Sequence, residues 1–341
     1  MSGDAPLTYA SAGVDLEAGD EVVARIRDAV VSTHTREVIG SHGSFAGLFA
    51  PSVGDPLLSA GCDGVGTKVL LGAAAGRLHG LGIDLVAMSV NDVLTAGGNP
   101  AFFMDVITCG RIVPERIAEL VEGVAEGCRR ARCVLLGGET AEHPDMMGAD
   151  DFDLAGFCVA ISERRELVSG ARVAAGDAIL ALPSSGPHAN GFSLIRRVLD
   201  RAGVALDATP DGLGGASVAD ALLEPTAIYA AAVGELRRTV DVRGMAHITG
   251  GGIPGNLIRQ FPAGLGASVD LSTWTRPPVF DWLASLGVEE DEMRRVFNLG
   301  IGFAAVVSPD DTGAALRALE RGGGPGWICG EVTGGGEVEL R

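Results

Sequence analysis

The sequence predicts an α/β (α+β) protein made of two α/β domains. Three observations lead there. The chain has 341 residues, enough for two separate cores. Strand-length apolar runs alternate with stretches of helical period in both halves, as α/β architecture requires. A charged stretch, 162–176, then precedes a fresh apolar run at Ala178. We place the boundary at 165/166, giving an N-terminal domain of 1–165 and a C-terminal domain of 166–341.

Residues 1–50 read as an arm. Val22, Val23, Ile26 and Val30 fall at helical spacing, and Gly40-Ser41-His42-Gly43-Ser44-Phe45-Ala46-Gly47 follows. That glycine-rich loop is either a lid over a nucleotide or a mobile connector. Pro56-Leu57-Leu58 reads as a strand running into a glycine-rich turn, Gly61-Cys62-Asp63-Gly64-Val65-Gly66-Thr67-Lys68. Such a turn brings backbone N–H groups close to an anion. Lys68 adds a mobile positive charge suited to phosphate, and Asp63 a carboxylate suited to magnesium. The order Gly66-Thr67-Lys68 misses the P-loop pattern, and Val69 breaks the dinucleotide fingerprint. A glycine-rich surface turn with an exposed Asp and Lys is the competing reading.

The spacing predicts a helix over 83–96, with Asp84, Met88 and Asn91 on one face and Asp92 at its edge. Asp84 suits a helix start, whereas Asn91-Asp92 in an apolar segment calls for a partner, a metal among the candidates. A strand over 102–107 carries Asp105. A helix over 114–132 has Pro114 near its start and basic residues at its end. Residues 133–136 read as a buried strand ending in Gly137-Gly138-Glu139-Thr140, a second glycine turn with an acid. Two such acids converging make a magnesium–phosphate site. A strand opening at 151 adds Asp153.

In the second half, a strand over 178–182 meets a helix over 194–202 through the loop 183–193. Its small hydroxyls and open N–H groups at a helix start suit an anion. His247-Ile248-Thr249-Gly250-Gly251-Gly252 precedes a helix over 256–260 in a similar way. Phe297-Asn298-Leu299-Gly300 enters an apolar strand. His188 and His247 are by default structural loop histidines.

A net charge of −18 argues against nucleic acid as the main partner. A phosphorylated small substrate stays compatible, because magnesium reverses the sign locally. Six cysteines without a CxxC read as core residues in a reducing, cytoplasmic compartment. The first residues lack a basic and apolar signal pattern, and the apolar run 81–90 is short and broken by Asp84, so no membrane span is expected.

Taken in order, six motifs carry a resemblance. They are Ser11-Ala12-Gly13-Val14-Asp15, Asp63-Gly64-Val65-Gly66-Thr67-Lys68, Gly82-Ile83-Asp84 leading to Asn91-Asp92, Gly137-Gly138-Glu139-Thr140, Ser184-Ser185-Gly186-Pro187-His188 and His247-Ile248-Thr249-Gly250-Gly251-Gly252. Together they resemble the phosphoribosylformylglycinamidine cyclo-ligase (aminoimidazole ribonucleotide synthetase) family, from about Tyr9 to about Gly302. The resemblance implies ATP-dependent closure of formylglycinamidine ribonucleotide to aminoimidazole ribonucleotide in purine biosynthesis, with ADP and phosphate released. It implies ATP and magnesium as cofactors, an N-terminal ATP-binding domain that forms a two-fold homodimer through strands, and a C-terminal domain that closes the cleft.

By match of motif, Asp63, Asp92 and Glu139, with Asp84 as an addition, are the implied metal residues. Gly64, Gly66, Thr67, Lys68, Asn91, Gly138, Thr140 and Asn190 are the implied ATP and phosphate contacts. Ser184, Ser185, Gly186, His188, His247, Thr249, Gly250 and Gly251 are the implied substrate contacts, with His188 and Lys68 as catalytic groups. Arg27, Ala189 and Ala227 stand where the family usually has lysine, serine and a basic residue. Selenophosphate synthetase, thiamine-monophosphate kinase, the hydrogenase-maturation dehydratase and a glutamine-dependent amidotransferase share this chemistry. The first would show a reactive Cys before Cys62, the second lacks the Ser-Ser-Gly-x-His loop and the last is far longer. A non-catalytic regulatory paralogue would have lost Asp63, Asp92 or Glu139.

Overall fold

The structure, a computed structural model, describes residues 8, 38–39, 47–49, 55–143 and 146–341. Ser11–Asp15 of the first motif, Arg27 and most of the glycine loop 40–47 lie outside the described residues. Among those described, two six-stranded sheets carry the chain. The first holds β1 (Val38–Ile39), β2 (Gly47–Phe49), β3 (Pro56–Gly64), β4 (Asn99–Cys109), β5 (Val134–Glu142) and β6 (Phe152–Glu163), in the order β1-β2-β3-β6-β4-β5. Only β4 and β5 run parallel; the other neighbours are antiparallel.

Side-chain alternation gives this sheet two unlike faces. On β6, Phe152, Leu154, Cys158 and Ala160 are buried while Phe157 and Ile161 stay exposed. The inward face packs on α2 (His79–Thr95) and α3 (Pro114–Ala131), which follow the short α1 (Lys68–Ala75). α2 is buried on nearly every side, as a helix that is apolar all round should be. It lies between the sheet, α3 and the second half of the chain.

The second sheet holds β7 (Ala178–Pro183), β8 (Val242–His247), β9 (Leu265–Val269), β10 (Ile301–Val307), β11 (Trp327–Gly334) and β12 (Val338–Leu340), in the order β12-β9-β11-β7-β10-β8. Its helices include α4 (Phe192–Ala202), α5 (Val218–Leu223), α6 (Ala230–Thr239) and α7 (Gly252–Leu257). One apolar cluster joins the halves, packing Leu85, Val86 and Val93 of α2 with Tyr229, Val233 and Phe303. Two α/β units in one chain are therefore observed, and no described helix is long and apolar enough to cross a membrane.

Three expectations need correction. The stretch from Gly61 to Gly64 is not a turn but the end of β3. Its glycines serve close packing, since a Cβ on Gly61 would lie 3.0 Å from Ser89 O and one on Gly64 2.9 Å from Leu154 O. The apolar run at 133–136 is not buried: β5 is an edge strand, with Val134 59% and Leu136 61% exposed. The helix expected at 256–260 starts at Gly252 instead, because Asn256 Nδ2 bonds the carbonyls of Thr249, Gly250 and Gly252 and stabilises an earlier first turn.

Candidate active site

α2 is the spine of the site, carrying three polar side chains to the second half of the chain. Asp84 is fully buried, with Lys68 Nζ 2.8 Å from one carboxylate oxygen and Thr226 donating from both N–H and Oγ1 to the other. Lys68 Nζ also donates to the carbonyls of His188 and Glu224, at 2.8 and 3.0 Å. Burial pushes the Lys68 ammonium down and the Asp84 carboxyl up, and their mutual attraction opposes both shifts. Asn91 donates to Ala227 O and accepts from Tyr229 N. Lys68, Asp84 and Asn91 are thus a clamp between the halves. All of Lys68's donors are taken and its side chain has no exposed surface, so it is not placed as a phosphate contact. Asp84 is not placed as a metal ligand, nor Asn91 as an ATP contact, for the same reason.

Asp92, one residue on, faces a different neighbourhood. Its Oδ1 lies 2.9 Å from Nδ1 of His247, at the end of β8. Because Gly61 lets β3 lie against α2, Asp63 comes beside Asp92. Burial first, then the Asp92 charge, raises the Asp63 carboxyl to about 6. Asn190 Nδ2 reaches Met88 Sδ at 4.0 Å, and Asn190 Oδ1 lies across from Gly250. Two acids, an imidazole, an amide and the half-exposed backbone of Thr249, Gly250 and Gly251 therefore meet where α2 touches β8.

Other expected site residues fall elsewhere. In the pairing across β3, β6, β4 and β5, Asp63 shares a row with Gly156, Asp105 and Gly138. Glu139 shares the next row, with Val106 and Ala155, and so points to the opposite, exposed face. Three strand spacings, about 14 Å, separate it from β3. Within one chain Glu139 does not converge with Asp63 and Asp92, and Gly138 and Thr140 lie on the same distant edge strand. Ser184 Oγ donates to Asn298 Oδ1 and Ser185 Oγ to Pro225 O, so both hydroxyls are used within the protein. Gly186 is buried, its carbonyl accepting from Asn298 Nδ2.

His188 is fully buried with a φ of 61°, and its Nε2 accepts the N–H of Ser185. Burial, with His247 and Lys68 nearby, holds its pKa well below the usual imidazole value. A neutral ring facing Tyr229 and locking its own loop is not placed for proton transfer to a substrate. Gly64 and Gly66 flank the turn at the end of β3, and Thr67 Oγ1 bonds Ser193 Oγ in the first turn of α4, 3.0 Å away. Sequence reasoning missed Ser193, Thr226, Asn256 and Asn298, which fix the loops. Only Asn256, beside Gly255, carried a signal of turn chemistry.

The comparisons with known proteins agree with this architecture. The family model described as AIR synthase related protein, N-terminal domain, matches residues 46–162, and its C-terminal counterpart matches 174–341. A phosphoribosylformylglycinamidine cyclo-ligase of Synechococcus sp. (strain RCC307) is 50% identical over 334 residues, covering 96% of this chain and 97% of that protein. One of Myxococcus xanthus (strain DK1622) is 50% identical over 333 residues, covering 96% of each. Among solved structures, thiamine-monophosphate kinase from Stenotrophomonas maltophilia K279a superposes with a TM-score of 0.62 at 17% identity, covering 94% of this chain and 95% of that one. Hydrogenase maturation protein HypE in complex with ATP gives 0.61 at 20% identity, covering 85% and 82%. These two share the fold. With both domain models matched in order and half its residues identical to those relatives, the chain belongs to the AIR synthase related family, among the phosphoribosylformylglycinamidine cyclo-ligases.

Proposed function

We propose that the chain uses ATP to close formylglycinamidine ribonucleotide into aminoimidazole ribonucleotide, releasing ADP and phosphate, at the meeting of Asp63, Asp92 and His247. The family membership names the reaction. The observation that carries its placement is the Asp63–Asp92 pair, with Asp63 raised to about 6. Two half-buried carboxylates side by side are a poor resting arrangement and a good cation site. Among the described residues no three His, Cys, Asp or Glu side chains form a metal cluster. Magnesium takes one or two carboxylates and completes its shell with phosphate oxygens and water. Asp63 and Asp92 would hold it, and it would neutralise the triphosphate of ATP.

The reaction needs an activated oxygen. Transfer of the γ-phosphoryl group to the formyl oxygen makes a leaving group. The amidine nitrogen then attacks that carbon, phosphate departs and the nitrogen loses its proton. Here the chain supplies position. Asp92 orients His247 through Nδ1. The backbone at 249–251 is held open by Asn256 and offers N–H groups to phosphate oxygens. Asn190 faces it with an amide. The test is turnover with Asp63→Asn, which should lose activity while the fold is retained.

The outer face of the first sheet supports a homodimer. Met104, Val106, Leu136, Phe157 and Ile161 are all exposed there. A contiguous apolar face of this kind marks an interaction surface, and a closed two-fold pair covers it with itself. Glu139 points to the same face, so in this reading its neighbour is a second copy rather than Asp63.

A further inference from the structure

A cavity of about 370 Å³ lies between the two halves, away from the acids just described. Asn99 lines it from the start of β4, Arg165 and Glu166 from the connection, and Arg237 and Arg238 from α6. Arg172 and Asp241 lie at its rim, so four guanidinium groups face two carboxylates in a chain of net charge −18. Most of these arginines are already satisfied. Both Asp241 oxygens accept from Arg172 Nη1 at 2.6 Å. Arg165 pairs with Glu163 at 2.7 Å and Arg238 with Glu235 at 2.5 Å.

Arg237 differs. Its Nη1 donates to a neutral partner, Asn99 Oδ1, at 3.1 Å. Glu166 acts on it only at longer range, because that carboxylate is drawn back to the Glu163 N–H. A partly buried guanidinium that no carboxylate pairs with among the described residues is a ready donor to phosphate, which it binds through two parallel N–H bonds. Val168, Val240 and Val242 supply an apolar wall beside it.

We propose that this cavity binds a small phosphomonoester, its phosphate held by Arg237 beside the positive charges of Arg165 and Arg238 and its organic part against the three valines. The proposal stands apart from the ring-closing reading. It also gives the ligand an effect. Asn99 belongs to the first sheet and Arg237 to the second half, so an occupant ties the two together. β8 starts at Val242 in the cavity and ends at His247, about 17 Å further on. One strand thus runs from the cavity to the acidic centre.

Calorimetric titration of the full chain with ribose 5-phosphate, and separately with inorganic phosphate, tests this. The expected result is saturable ester binding, tighter than that of inorganic phosphate. Arg237→Ala should weaken it roughly tenfold or more, and Arg237→Lys less. Glu166→Gln, which removes a negative charge from the wall, should tighten it, and this variant stands even where loss of the Asn99 contact unfolds Arg237→Ala. No saturable binding, unchanged affinity in both Arg237→Ala and Glu166→Gln, or equal affinity for inorganic phosphate would overturn the proposal.

Discussion

Lys68 Nζ lies 2.8 Å from an Asp84 carboxylate oxygen, and neither side chain has any exposed surface. Lys68 is the chain's single lysine. The pair and its partners at His188, Glu224 and Thr226 join α1 and α2 to two loops of the second half. Removing one member of a buried pair leaves the other charge uncompensated, at about 3–5 kcal/mol. Lys68→Met should therefore lower stability by that order in urea unfolding, and Lys68→Met combined with Asp84→Asn should recover part of it. A single variant as stable as the parent would mean that the pair does not hold the halves together.

A second expectation concerns pH and His188. Its folded-state pKa lies well below 6.5, so the unfolded chain takes up this proton first as pH falls. The stability tied to the neutral ring is complete above about pH 6.5 and is lost as pH falls below it towards the folded value. His188→Asn keeps the positive φ at low cost and removes this slope. Unfolding midpoints between about pH 7.5 and 5.5 should fall more steeply in the parent than in the variant. Turnover of that variant should stay within a few-fold of the parent. A loss of roughly 100-fold at unchanged stability would restore His188 as a proton-transfer group.

The acids separate in their demands. Asp92→Asn removes a charge beside Asp63 and should let its pKa fall from about 6. It should also raise the magnesium concentration that turnover requires, because one of two carboxylates is gone. An unchanged magnesium titration in a folded Asp92→Asn protein would take Asp92 out of the site.

The uncovered sheet face gives an assembly test. Phe157→Glu places a charge amid Met104, Val106 and Leu136 on the outer face and leaves the core side of β6 untouched. Light scattering should find a dimer for the parent and a smaller species for the variant. A parent that is monomeric at micromolar concentration contradicts the dimer.

Alternating apolar runs made the strands and helices legible, and motif order made the family legible. Chemistry assigned residue by residue was less so, because sequence gives polarity but not direction. Asp84 and Asp92 are eight positions apart on one helix, yet one meets a lysine in the core and the other an imidazole at the cleft. Glu139 looked equivalent to Asp63, but strand register turned it to the opposite face. The hydroxyls of Ser184 and Ser185 suggested anion binding, and long-range partners at Asn298 and Pro225, 114 and 40 residues away, had already claimed them.

ATP-driven ring closure is open to direct measurement. Purified chain with formylglycinamidine ribonucleotide, magnesium and ATP should yield an aminoimidazole detectable by diazo coupling, with one ADP and one phosphate formed for each ring. ADP formed without any aminoimidazole, or phosphate retained on the product, would contradict the account.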